Sequence, residues 1–154
     1  MPNRDGEVTK AAQELNLPAD SPGFTLWRVS NAWQRAVRGA LQPWGLTHAQ
    51  AVVLATIDWI GGGGRVKQYE VAELAGMDPM TTSQVVRALE EKELVKRARH
   101  PEDARAVTVG LTPKGKKTLS KATKAVQGID QQFFGAAGKN QKALVAGLAA
   151  LVQG

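Results

Sequence analysis

The side chains of this sequence with the most chemical potential lie in two short stretches, and their chemistry is recognition rather than catalysis. In the first, Met80, Gln84 and Arg87 recur at spacings of four and three, with Thr81 and Ser83 beside them. An amide and a guanidinium on one helical face, flanked by short hydroxyl side chains, are groups that hydrogen-bond to base edges and phosphates in a major groove. In the second, Arg99, Asp103 and Arg105 belong to residues 94–117, where seven Lys and Arg stand against Glu102 and Asp103. That segment carries +5 of a formal net charge of +6, and such clustering marks a surface for a polyanion. The chain shows no nucleophile–base pair, no glycine-rich phosphate loop after a strand and no paired histidines. No catalytic residue is expected, and an enzyme is the remote reading.

These groups need elements to present them. Val71, Leu74 and Ala75 put an apolar stripe on one short helix, and Gly76 is suited to leave it with positive φ. Asp78 then caps a second helix that Pro79 opens. On it Thr82, Val85, Val86 and Leu89 fall at i, i+3, i+4 and i+7, a buried face that leaves Met80, Gln84 and Arg87 opposite. Downstream, residues 94–99 and 105–111 read as two strands around the turn His100-Pro101-Glu102-Asp103,. Thr112 and Pro113 follow as N-cap and first residue of another helix.

Helix, turn, helix and then a basic hairpin make a winged helix-turn-helix. At this point the chain resembles the MarR family of bacterial transcriptional regulators. The wing signature, D-x-R followed after five residues by L-T and then x-x-G, stands here as Asp103, Arg105, Leu111, Thr112 and Gly115. The resemblance covers roughly residues 24–152 and departs at Glu93, where the family often has glycine. A non-glycine residue there must avoid or tolerate a left-handed conformation. The resemblance implies that Asp103 orients the wing and Arg105 enters a minor groove; a salt bridge of Arg105 to Asp103 or Glu102 is the plainer alternative. For Arg87 the plainer alternative is an ion pair with Glu90 or Glu91 on its own helix.

The expected fold is therefore mainly α with a small β-wing, a winged helix-turn-helix with N- and C-terminal dimerisation helices. Residues 1–22 read as a polar arm and residues 23–154 as a single MarR-like domain. Within it residues 46–117 form the winged lobe, and residues 23–45 and 118–154 the dimerisation helices. The first helix spans about residues 23–42, with Trp33, Ala36, Val37, Ala40 and Leu41 on one side. Thr47-His48-Ala49-Gln50 is a capping box opening a helix to about Ile60 that buries Val53, Leu54, Ile57 and Ile60. Gly61 to Gly64 make a flexible link. Leu119, Ala122, Val126, Ile129 and Phe133 follow a packing seam, the stretch Gly135–Gly138 breaks it, and Leu144, Val145, Leu148, Leu151 and Val152 fall on a last helix. The family uses terminal helices to dimerise, and two symmetry-related recognition helices suit a pseudo-palindromic operator in double-stranded DNA.

There are no cysteines, which removes disulfides, thiolate nucleophiles, thiol redox sensing and Cys-based zinc sites. With two histidines, no metal site and no cofactor are expected. No apolar run approaches the ~20 residues of a membrane span, so a cytoplasmic protein without a membrane partner is expected. Members of the family often bind small aromatic effectors, and Trp27, Arg28, Trp33 and His48 are candidate ligand contacts. Tryptophans at helical spacing are otherwise core residues, and His48 in the first turn of its helix can be a plain surface residue. The leading function is a DNA-binding regulator, a repressor released by a small molecule. The alternative is a winged-helix protein-interaction module without specific DNA binding.

Overall fold

The computed structural model describes residues 21–153, so the expected arm over residues 1–22 lies, up to residue 20, outside the described residues. The chain forms two compact units, one ending at Ala36 and the other beginning at Val37. Helix α1 (Pro22–Leu41) contributes to both. In the first unit Trp27 is 68% exposed and Arg28 is exposed, while Trp33 is half-buried. Trp27, and Trp59 at 75% exposure, are therefore not core residues of the single chain, whereas Trp33 is partly covered.

The second unit is built around aliphatic side chains that are fully buried: Val37 and Leu41 from α1, then Val53, Leu54, Ile57, Val71, Val86, Leu89, Val95 and Val109. Each contributes roughly 1.5–3 kcal/mol relative to leaving it in water. A 3-10 turn (Gln42–Trp44) ends on Gly45 in the left-handed region, φ 65°. Helix α2 (His48–Gly61) opens with the expected capping box: Thr47 Oγ1 accepts from Gln50 N–H, and Gln50 Oε1 accepts from Thr47 N–H, both at 3.1 Å. Val53, Leu54 and Ile57 are buried as expected, whereas Ile60, in the last turn, is exposed.

The four glycines that follow form a hydrogen-bonded turn, with Gly62 N–H to Asp58 O and Gly64 N–H to Gly61 O. They lead into strand β1 (Val66–Lys67), for which the sequence carries no local signal. Helix α3 (Gln68–Ala75) ends at Gly76, φ 65°. It buries Val71 and Ala72, while Leu74, placed on the apolar stripe from spacing, is exposed. Helix α4 (Pro79–Glu91) is followed by β2 (Val95–Arg99) and β3 (Val107–Leu111). The antiparallel sheet has the order β1-β3-β2, with Val66 opposite Val109 and Val95 opposite Leu111.

Helix α5 (Pro113–Gly135) starts at a Thr112 cap that accepts from Gly115 N–H. Leu119 and Ala122 of its seam are buried; Val126, Ile129 and Phe133 are half-buried. After a 3-10 turn beginning at Gly138, φ 54°, helix α6 (Gln141–Val152) carries its apolar residues in the open. Leu144, Val145, Leu148, Leu151 and Val152 are all exposed, the last two by 74% and 84%. Among the described residues, no helix is long and apolar enough to cross a membrane, and no group of three His, Asp or Glu could hold a metal ion.

Candidate DNA interface

The recognition element begins at Asp78. Its carboxylate accepts the backbone N–H of Thr81 at 2.8 Å and also the Thr81 hydroxyl. The hydroxyl bond first, and the N–H bond second, hold the Asp78 carboxyl below its ordinary value of 3.8. A carboxylate whose folded-state pKa is depressed adds stability above its unfolded pKa and loses it as pH falls through the folded value. Asp78→Asn keeps a capping side chain without the titration. The melting-temperature gap between wild type and Asp78→Asn is therefore expected to be greatest above pH 3.8 and to close as the solution is acidified below it. A gap that stays constant through that range would show that the cap charge is irrelevant.

Thr82, Val86 and Leu89 anchor α4, with Val85 half-buried. Met80, 73% exposed, Gln84 and Arg87 share the outer face, with Thr81 exposed and Ser83 half-buried alongside. The Thr81 hydroxyl donates to the Asp78 cap, which leaves its oxygen to meet DNA as an acceptor,. Arg87 makes no ion pair among the described residues, because Glu90 turns to the wing instead. The Glu90 carboxylate accepts the Arg97 backbone N–H at 3.0 Å and the Arg97 guanidinium at 2.7 Å, and these two contacts, in that order, lower its pKa. Arg97 is thereby a brace between α4 and β2, a role that spacing alone did not separate from the other wing cations.

The wing turn is organised by backbone donors. His100 Nδ1 accepts from the N–H groups of Glu102 and Asp103, both at 3.2 Å. Asp103 accepts the backbone N–H of Arg105 at 3.0 Å, so the carboxylate shapes the turn. Among the described residues the Arg105 guanidinium has no carboxylate partner, and the salt bridge to Asp103 or Glu102 weighed from sequence is not formed. Arg99, at the end of β2, is exposed. Arg65, which the sequence did not single out, crosses the sheet, with Nε to Thr108 Oγ1 at 3.2 Å and a guanidinium N–H to Lys96 O at 3.0 Å.

The joint between reading helix and wing is Glu93–Leu94. Glu93 adopts φ 60°, the conformation for which a glycine is easier,. Its carbonyl accepts the Thr112 hydroxyl at 2.7 Å, and its N–H donates to Glu90 O at 2.9 Å. Leu94 O accepts Thr112 N–H at 3.1 Å, and Gly115 packs directly on that carbonyl. The glycine of the wing signature is thus a spacing requirement: the first turn of α5 can lie on Leu94, the residue before β2, only where no Cβ intervenes.

His48, half-buried at the start of α2, has its pKa lowered by burial first and by Arg38 second, against the opposing pull of Asp130. Trp27, Arg28 and Trp33 belong to the first unit and His48 to the second. Within the second unit an apolar cleft of about 270 Å³ lies between α2 and α5, lined by Ala51, Val52, Ala55, Leu119, Ala122 and Val126, with Asp130 as its charged group.

The MarR family profile matches residues 46–107. An uncharacterized HTH-type transcriptional regulator, YdcH of Bacillus subtilis (strain 168), is 40% identical over 128 residues, 82% of this chain and 87% of that protein. The transcriptional repressor CouR bound to a 23-mer DNA duplex superposes with TM-score 0.79 at 29% identity, covering 87% of this chain and 94% of that one. CouR from Rhodococcus jostii RHA1 bound to p-coumaroyl-CoA gives 0.74 at 30% identity, covering 88% and 91%. With the signature filled from Asp103 to Gly115, a reading helix that offers Gln84 and Arg87 to solvent, and relatives alike over most of their length, the chain belongs to the MarR family of DNA-binding transcriptional regulators.

Proposed function

We propose that the protein is a cytoplasmic repressor, without enzymatic activity, that binds a pseudo-palindromic operator as a homodimer and is released by a small aromatic effector. The observation that carries the reading is the outward face of α4, where Met80, Gln84 and Arg87 are exposed and held by no other described side chain. In this reading Gln84 and Arg87 take base edges, Met80, Thr81 and Ser83 line the groove floor and its phosphates, and Arg99 and Arg105 meet the backbone and minor groove with Asp103 shaping the turn. The winged lobe spans residues 46–117, with dimerising segments at residues 23–45 and 118–154. CouR, as a repressor on DNA and as a complex with p-coumaroyl-CoA, supports both halves of the mechanism. Release needs a moderate free-energy difference: a hundredfold loss of DNA affinity corresponds to about 2.7 kcal/mol of preferential effector binding to one conformation. The cleft between α2 and α5 supplies apolar surface for a ring. Trp27, Arg28, Trp33 and His48 are separate candidate contacts, each to be tested by its own substitution.

The test is titration of duplexes at several salt concentrations, using one duplex enriched from a random library by the protein and one scrambled control. Arg105→Ala is expected to weaken both and to shallow the salt slope by about one unit, whereas Gln84→Ala should cost ~1–3 kcal/mol mainly on the enriched duplex. Unchanged binding by both variants would remove the assignment of this face to DNA.

A further inference from the structure

Lys92 follows the last residue of α4, and its side chain reaches residues distant from it in sequence. Nζ donates to Gly45 O at 2.6 Å and to Gln50 Oε1 at 2.9 Å, across separations of 47 and 42 residues. Gln50 is buried, and the same Oε1 accepts Thr47 N–H at 3.1 Å in the capping box of α2. Gly45 is equally constrained: it is left-handed, and its own N–H closes the 3-10 turn on Gln42 O at 3.0 Å. Both acceptors are thus held by other bonds, so the ammonium joins two fixed points. The main chain of Lys92 adds two more attachments, with its N–H on Ala88 O at the end of α4 and its carbonyl accepting Lys114 Nζ at 3.1 Å from α5.

We propose that Lys92 is a positioning residue: its ammonium ties the end of the recognition helix to the elbow Gly45–Thr47 and so fixes the angle at which α4 meets DNA. The proposal rests on the operator-binding reading above. Its physical basis is that a hydrogen bond from a charged donor to a pre-oriented acceptor, buried at Gln50 and exposed at Gly45, is stronger than a neutral one and directional,. Rotation of α4 about its C-terminal end stretches both bonds together. In a two-fold dimer a small change of angle at each elbow alters the distance between reading helices, and operators of different half-site spacing are then told apart less well.

The experiment uses the full chain as wild type, Lys92→Met, Gln50→Leu and the double variant, on the enriched duplex, on versions with the half-site spacing changed by one base pair, and on a scrambled duplex. Lys92→Met keeps the side-chain stem and is expected to weaken the enriched duplex about tenfold, to flatten the preference among spacings, and to leave the salt slope as in wild type. Gln50→Leu should act in the same direction, and the double variant should lose less than the sum of the two singles, because the Lys92–Gln50 bond is counted in both,. Three results overturn the proposal. One is a salt slope reduced by about one unit in Lys92→Met, which would make Lys92 a phosphate contact. Another is unchanged affinity and spacing preference in both singles, and the third is strict additivity in the double variant. A wild-type chain that enriches no duplex overturns the operator-binding reading itself, a result distinct from those three.

Discussion

Replacing Gly115 with alanine is expected to destabilise the protein by on the order of 3–4 kcal/mol, among the larger effects a single methyl group can have. The added Cβ would fall far inside van der Waals contact with the Leu94 carbonyl oxygen and 2.9 Å from its carbonyl carbon. Neither atom belongs to a flexible side chain. Leu94 O is already committed to Thr112 N–H, and Glu93 O to the Thr112 hydroxyl, so the Glu93–Leu94 joint cannot retreat without breaking the cap of α5. The first turn of α5 must instead lift from Leu94. Chemical denaturation should show the loss in full, and thermal melting should show a drop of roughly 10 °C. Gly128→Ala is the control: it lies in the same helix with nothing within 4 Å of the new methyl, and it should gain up to about 1 kcal/mol from helix propensity. Equal stability of the two variants would refute the spacing role of Gly115.

The second large effect concerns assembly. Leu148→Glu is expected to raise the dimer dissociation constant by about a hundredfold or more, because a carboxylate would be buried without a partner in the interface. Leu148 shares α6 with Leu144, Val145, Leu151 and Val152, all exposed in the single chain. Leu148 is 39% exposed in the single chain, so the change costs the isolated fold less than it costs the interface. Sedimentation velocity at micromolar concentration should show a dimer for wild type and a monomer with native helix content for the variant. A Leu148→Glu protein that sediments as a dimer would place the interface elsewhere.

What could be read in advance was what local chemistry dictates. Thr47, Asp78 and Thr112 each precede a helix with a partner three residues on, and each caps as expected. Gly76 and Gly138 leave helices or enter turns with positive φ for the reason that makes glycine common there,. Residues whose state depends on distant neighbours were not legible. Two residues, Val66 and Lys67, are too few to show a period, and they become a strand only because β3 offers an edge,. Periodicity gave Leu74 and Ile60 an inward face, but whether any element covers that face is decided by tertiary packing, and they stand exposed.

The same limit applies to the site. The candidates on α4 and the wing were visible as residue types, whereas their division of labour was not. Arg97 and Arg99 look equivalent in sequence, yet Arg97 is consumed by Glu90 and Arg99 is exposed. Glu93 shows the reverse case. Its left-handed backbone carries a strain of about 1–2 kcal/mol, held by hydrogen bonds from both sides of the joint, where a glycine would reach the same shape without strain.

The brace from Glu90 to Arg97 has a thermodynamic consequence for recognition. Because Glu90 holds both the backbone and the side chain of Arg97, α4 and β2 are joined before any DNA arrives, and part of the ordering entropy of the proposed interface is spent when the chain folds,. Deformation then falls on the softer partner. In the proposed mode of binding, a duplex would bend, twist or narrow its minor groove until both α4 and the wing are seated, and sequences differ in how readily they do so. Part of the selectivity of such a reader resides in base-pair steps that it never touches, written in the mechanics of the double helix rather than in hydrogen bonds to its bases.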